Sequence, residues 1–274
     1  NDYVVMLDQP YRNLAVSLLT KQNFSKDAKF PPYDDIAWTL GYLYGVEVRA
    51  EDSIKYSKNS LSLVKDDIQY AGQIKGTGTN YVLHYKAQNT VLPALYWLAA
   101  ENKNAKASVL DKRTALEGTK DTVAAGSVLF SGISEGQAKY ISTYFGLDLQ
   151  SVKNISAAKQ HPVNLPKVAI YHTWYDTQDE GWSRYTFEQL GIPYTSIQKD
   201  DLKAGGLRKR FDVILIPRTG GGASNFINEI DRKFGPMPYT KTAEFPSHGF
   251  PDSTQDMTGG PGFAGMAELS RFVS

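Results

Sequence analysis

Cysteine is absent from this chain, which excludes disulfides, thiolate metal ligands and a cysteine nucleophile. Histidine is scarce: His84, His161, His172 and His248 are the four, followed by YKA, PVN, TWY and GFP. None of them opens a His-x-x-Glu pair, so a zinc site of the kind built on that pair and a later histidine is not encoded. An excess of charge of one sign is missing too. Lys and Arg total 30 against 29 Asp and Glu, for a net +1, which provides no field for nucleic acid or an anionic membrane. The longest basic cluster, residues 208–210, reads as a solvated helix end. No apolar run approaches the roughly 18 residues that a bilayer span requires. Nucleic acid and a membrane span are therefore excluded on these grounds. The three glycines after Arg218, at 220–222, form neither a Walker loop nor a dinucleotide fingerprint.

The most legible stretch runs from Lys167 to Gly222 and predicts strand, helix, strand, helix, strand. KVAIYHT is a short, apolar, β-branched run of the kind buried on both faces of a parallel sheet. Thr177 and Glu180 have capping-box spacing, Asp179 and Glu180 place negative charge in the first turn, and Gly191 suits a helix end. A helix from about Gln178 to Leu190 follows. IPYTSIQ is the second strand, LKAGGLRKR a weaker helical crossover broken at Gly205 and Gly206, and FDVILIP the third strand. Crossovers of this length imply adjacent parallel strands in an α/β sheet.

Earlier in the chain, DYVVML reads as a strand, Tyr11 to Gln22 as a helix, and Asp34 to Tyr44 as a second helix that stops at Gly45. The pattern then becomes mixed. QYAGQIKG and NYVLHYKA read as strands joined by a hairpin turn at GTGTN, TVLPALYWLAAEN as a helix begun or kinked at Pro93, and ASVLDKR and TVAAGSVLFSG as strands. Ser134 to Phe145 is a helix with a capping box at Ser134 and Gln137, closed by Gly146. The Pro-bearing segment 148–166 suits a domain boundary. Residues 219–262, rich in Gly, Pro and Ser, read as a long loop, and a final helix begins near Phe263 with Phe263, Met266, Leu269, Phe272 and Val273 on its apolar side. The chain has no initiator Met and reads as a fragment or a mature form.

DYVVMLDQPYRNLAVSLLTKQ, PPYDDIAWTLGYLYGVEV and VAIYHTWYDTQDEGWSRYTFEQLGIPYT, together with FDVILIP, resemble the region after the catalytic domain in large bacterial, carboxypeptidase A-like zinc metallopeptidases. The likeness covers essentially the whole chain. It implies a mixed α+β region over residues 1–155. Residues 156–274 would form an incomplete α/β domain of class I glutamine amidotransferase-like, flavodoxin-like type with a parallel sheet. It further implies a non-catalytic accessory portion that supports the missing peptidase domain or binds peptide, in a periplasmic or extracellular protein. Zinc would then belong to that missing domain and to no residue here. This chain departs from a working glutaminase, whose thiol nucleophile it lacks.

Ligands of open α/β sheets sit beyond the carboxyl ends of the strands. The binding candidates are therefore His172, Trp174 and Asp176 after the first strand, and Arg218, Gly220 and Gly221 after the third. In this reading they converge on one depression suited to a peptide or small carboxylate, with Arg218 as charge partner and Trp174 as apolar wall. No catalytic or metal-ligating residue is assigned. The alternative is a stand-alone α/β module for a small molecule or carbohydrate near His172 and Arg218, and a third reading is a hydrolase using His172 with Asp176 or Glu180. Trp38, Trp97 and Trp182 are expected in the core.

Overall fold

A computed structural model describes residues 3–21, 23, 25–27, 29, 39–53, 57–66, 68, 70–86, 88–116, 121–153 and 159–274. The chain divides into two compact units, residues 1–68 and 69–274. The first holds helices α1 (Arg12–Leu19) and α2 (Leu40–Leu43) and a 3₁₀ turn at Lys58–Ser60. Thr39, at φ 63°, turns the chain into α2 and donates its hydroxyl to Thr20 O at 3.2 Å. Residues 3–6, expected as a strand, form none and are largely exposed. Positions 34–38 of the second expected helix, Trp38 among them, lie outside the described residues.

The second unit contains, in chain order, β1 (Ile74–Gly76), β2 (Asn80–Leu83), α3 (Val91–Glu101), β3 (Lys106–Leu110), β4 (Thr114–Ala115), β5 (Thr122–Val123), β6 (Val128–Ser131), α4 (Glu135–Phe145), β7 (Leu149–Val152) and β8 (Gln160–Pro162). Six of these strands form one sheet in the order β1-β7-β2-β6-β3-β8, and β4 pairs with β5 alone. The sheet is mostly antiparallel: β1 runs parallel to β7, and the other pairings are antiparallel. Side chains alternate across it with the strand period of two. Tyr81, Leu83, Val128 and Phe130 meet Ala94, Leu95 and Leu98 of α3 and Ile141 of α4. Val82, Leu129 and Val152 face the other way and pack with Leu110, Leu116 and Val123. Burying each large apolar side chain contributes about 1.5–3 kcal/mol, so two covered faces make this sheet the main core.

Several expectations hold here and two do not. Ser134 and Gln137 form the capping box of α4, and Gly146 ends it at φ 66°. Pro93 sits in the first turn of α3, where its missing N–H costs nothing. The expected hairpin at 76–80 is not one, because β7 lies between β1 and β2. The connection instead wraps the end of β7, and Gly78 is pressed against the Val152 backbone. Alternation alone cannot reveal a strand inserted from 70 residues downstream, so this pairing was invisible locally. The segment expected as a boundary likewise contributes β7 and β8. The boundary drawn at residue 155 falls within the second unit, between β7 and β8 of the six-stranded sheet.

The remaining elements are β9 (Val168–Tyr171), α5 (Gln178–Gln189), β10 (Tyr194–Ile197), α6 (Lys199–Ala204), α7 (Leu207–Arg210), β11 (Val213–Leu215), α8 (Ala223–Asn228) and α9 (Gly262–Val273). The three strands form a parallel sheet in the order β10-β9-β11, as the long helical crossovers required. Ala169, Tyr171 and Ile197 pack with Leu202 of α6, Leu207 of α7 and Phe211, and Leu269 and Phe272 of α9 close this face. Phe263, expected on the same apolar side, is 88% exposed. Gly205 and Gly206, at φ 72° and 65°, break α6 from α7. The stretch after Gly222, read as loop, opens with α8 instead.

Two glycines distinguish a glycine needed for space from one that is not. An alanine Cβ at Gly78 would overlap the Val152 carbonyl, whereas one at Gly136, in the first turn of α4, meets only Ser134 Oγ at 3.8 Å. Gly78→Ala should lower the stability of the unit by about 1–3 kcal/mol, and Gly136→Ala should raise it by roughly 0.5 kcal/mol. Urea denaturation of both variants checks this; equal effects of the same sign would contradict the wrapped connection.

Candidate functional site

Helix α5 carries its charges inward. Glu180 and Arg184 are buried, while Trp182, expected in the core, is 63% exposed beside exposed Tyr185. The reason lies in what the inner face meets. Alternation along β9 puts Ala169 and Tyr171 toward α6 and α7, hence Ile170 and His172 toward the other face, where α5 lies against β9. There Arg184 Nε donates to Glu180 Oε1, Nη2 donates to Ser196 Oγ at 2.7 Å, and Nη1 lies 2.6 Å from Asp252 Oδ2 as an ion pair. Ser196 in turn donates to Asp252 Oδ1 at 2.8 Å. Burial works against the guanidinium charge, but Asp252 and Glu180 more than offset it and raise the Arg184 pKa above its ordinary value. His172 stands beside this group, with Nδ1 3.5 Å from Glu180 Oε2. Neither of its ring nitrogens has a hydrogen-bond partner among the described residues.

A second polar group lies at the same carboxyl edge, on the Tyr171 side. Tyr171 donates its hydroxyl to Glu229 Oε1 at 2.6 Å, and both partners respond. Burial first, then the Glu229 charge, pushes the phenol far above its usual value. Burial likewise raises the Glu229 carboxyl, against the opposing pull of Tyr171, the Trp174 amide, Lys199 and His172. Glu229 Oε2 is buried without a hydrogen-bond partner, and the residue sits at φ 47°, a region that disfavours side chains. Lys199, lowered by burial, donates its ammonium to the Asp256 and Thr258 carbonyls. The Asp256 carboxyl is held down at about 2 by the Thr258 and Met237 amides and the Thr258 hydroxyl.

The sequence-derived candidates divide between these surroundings and the surface. His172 is buried, and its ring meets that of Trp174 edge-on at 4.6 Å. Trp174 donates its indole N–H to Gln198 Oε1 at 2.9 Å and packs near Tyr239. Asp176 does link the first and third loops, because its carboxylate accepts the Gly220 N–H and Tyr175 donates to Gly220 O at 3.3 Å. Gly221, at φ 86°, lines an open, shallow depression of about 330 Å³ with Ile216, Thr219, Gly222, Ala223 and Phe226. Arg218 is exposed and has no ion pair or hydrogen bond among the described residues. The expected capping box of α5 is not made: Thr177 caps nothing, because Glu180 is engaged by Arg184.

Arg184, Ser196, Lys199, Glu229, Asp252 and Asp256 were not singled out in the sequence. Glu180 and Arg184 do have the i, i+4 spacing of a helix ion pair, the one visible signal. Ser196 and Lys199 stand at the end of β10 and the start of α6, and Glu229, Asp252 and Asp256 come from a Gly- and Pro-rich stretch without periodicity. Among the described residues no three His, Asp or Glu side chains group as metal ligands. No protein-family model, no curated protein and no solved structure matches the chain.

The raised Glu229 carboxyl has a definite pH signature. A folded-state value above the unfolded one means that its stabilisation is complete below the unfolded value, near the ordinary 4.5, and is lost as pH rises through the folded value. Glu229→Gln keeps an acceptor for Tyr171 and removes the charge. Its Tm should exceed that of the unsubstituted protein at pH 8 by about 2–4 °C, with the difference vanishing toward pH 4. A variant less stable at pH 8 than at pH 4, relative to the parent, would show that the charge is needed.

Proposed function

We propose that this chain is a non-catalytic supporting module, and that its place is beside the peptidase domain of a carboxypeptidase A-like zinc metallopeptidase exported to the periplasm or beyond. One observation carries the reading: the carboxyl edge of the parallel sheet, where a ligand or catalytic group would stand, is filled from within. Asp252 takes Arg184 and Ser196, Ser253 O takes Gln198, and the Asp256 and Thr258 carbonyls take Lys199. Arg184, Ser196 and Asp252 are engaged with one another, as Lys199 is with the carbonyls, and such a network fixes a surface rather than a reaction.

The β10-β9-β11 order is that of the first three strands of a flavodoxin-like sheet, and helices cover both faces. This favours an incomplete, class I glutamine amidotransferase-like domain, in which the missing cysteine leaves no glutaminase chemistry. Zinc chemistry belongs in this reading to the peptidase domain. That domain is the partner, and the support consists of holding it or its peptide substrate in position.

A second reading has one specific observation behind it: the depression at Gly221, Gly222 and Phe226 follows directly on Arg218, a cation without a partner among the described residues. A peptide, small carboxylate or carbohydrate held there would use Arg218 as its anchor. In that event Arg218→Ala weakens binding by on the order of 1–3 kcal/mol, measured by calorimetry, while Tm stays within about 1 °C. A fall in Tm with unchanged binding would make Arg218 structural.

The supporting role predicts an inert chain. Purified alone, it should hydrolyse neither a standard carboxypeptidase substrate nor glutamine above the buffer rate. Joined to the peptidase domain, it should raise that domain's Tm. A peptidase rate abolished by a chelator would overturn the reading.

A further inference from the structure

We propose that Arg184 and Ser196 form a carboxylate-binding site at the carboxyl edge between β9 and β10, and that the chain's own Asp252 occupies it as an internal ligand.

The receptor side is built from the rigid elements. Arg184 comes from α5 and is 9% exposed; Ser196 comes from β10. Glu180 holds the guanidinium through Nε and Ser196 Oγ holds Nη2, leaving Nη1 directed at the occupant. The two oxygens of one carboxylate are then met separately, Oδ2 by Arg184 Nη1 at 2.6 Å and Oδ1 by the Ser196 hydroxyl at 2.8 Å. Such two-point recognition by guanidinium and hydroxyl suits a planar carboxylate. Gln198, fixed by Trp174, extends the edge with an amide that donates to Ser253 O at 3.2 Å.

The occupant is of a different kind. Asp252 lies at the end of a loop closed by the Tyr239–Thr254 bridge, and residues 241–247, 250, 251 and 253 of that loop are exposed. Little apolar burial ties it down, so its opening free energy lies at the low end of the unit's range. The Asp252 side chain keeps 19% of its surface in solvent, so the site has a mouth. Rigid receptor groups, a loosely anchored carboxylate and a position where open α/β sheets take ligands distinguish this from an ordinary ion pair.

The inference is independent of the supporting role: a chelator-sensitive peptidase rate would end that role and leave this site untouched. Asp252→Ala removes the internal carboxylate while Arg184 keeps Glu180. Its Tm, measured at constant ionic strength of about 0.2 M, should fall by several degrees and recover with the logarithm of acetate concentration. Acetamide and chloride should not restore it, and the unsubstituted protein should not respond. Equal effects of acetate and chloride on the variant would overturn the proposal. Should Asp252→Ala fail to fold, Asp252→Asn preserves the shape of the side chain. Acetate should then displace that side chain and speed tryptic cleavage after exposed Lys241 several-fold; cleavage indifferent to acetate would overturn the proposal equally.

Discussion

Arg184 is the side chain on which the carboxy-terminal sheet depends. A guanidinium taken out of water costs several kcal/mol unless it is compensated, and here Nε and Nη2 donate to Glu180 and Ser196 while Nη1 forms an ion pair with Asp252, three partners from different places. Glu180 is one turn earlier on α5, Ser196 lies on β10, and Asp252 arrives from 56 residues beyond Ser196. One cation thus ties the helix to its strand and the long carboxy-terminal segment to both. Removing one member of such a buried set typically costs about 3–5 kcal/mol, because the charge left behind has no water to return to. A hydrophobic replacement of the whole set would be nearly neutral. What the network contributes is therefore less stability than definition: it fixes which way α5 turns and where residue 252 must lie.

That orientation explains why some of the structure was legible in the sequence and some was not. Alternation and helix boundary signals located α3, α4, β9, β10 and β11, since these depend on a few neighbouring residues. Ser134, Gln137 and Gly146 marked α4 completely. For α5, the same signals misassigned three side chains. Thr177 and Glu180 were read as a capping box and Trp182 as core, because helix periodicity assumes that apolar residues face inward. Here the inner face is defined by Arg184, and its partners lie in β10 and at Asp252, where no local pattern could announce them. The inserted β7 failed for the same reason: strand pairing is non-local. Arg218 was chosen as the charge partner because it follows the third strand. Arg184, a second arginine at that edge, comes from a helix, and no strand-end pattern points to it.

The Tyr171 side of the edge repeats the theme in a different chemistry. Glu229 is held by a phenol, near an ammonium that is itself engaged by two carbonyls, and its backbone sits at φ 47°. Strain and a buried, half-satisfied carboxylate both cost free energy, and both persist because the surrounding contacts over-determine the position. Tyr171 anchors it through β9, and the chain leaving Glu229 is pinned at once by the Ile230–Thr258 bridge and the Lys199 contacts. The residue is thus a corner in the path of the carboxy-terminal segment, turned sharply so that residues 231–258 can return over the strand ends.

Taken together, the two polar groups show how a segment almost without apolar periodicity is nevertheless placed. Residues 229–258 cannot be recruited by a hydrophobic stripe, for they have none. They are recruited by three fixed polar receptors, Arg184 with Ser196, Gln198, and Lys199, spaced along β10 and the start of α6. Alternation at the carboxyl end of β10 puts Ser196 on the α5 side and Ile197 on the other, and Lys199, the first residue of α6, lies by Glu229 on that second side. The segment must meet both, which fixes its path across the edge. Hydrogen bonds and ion pairs are directional where apolar contacts are not, and a polar segment laid on such receptors has one register. The edge that open sheets keep free for ligands is closed here by chain, and the chemistry that closes it, a carboxylate and backbone carbonyls presented to cations and an amide, is the chemistry by which a peptide would be held.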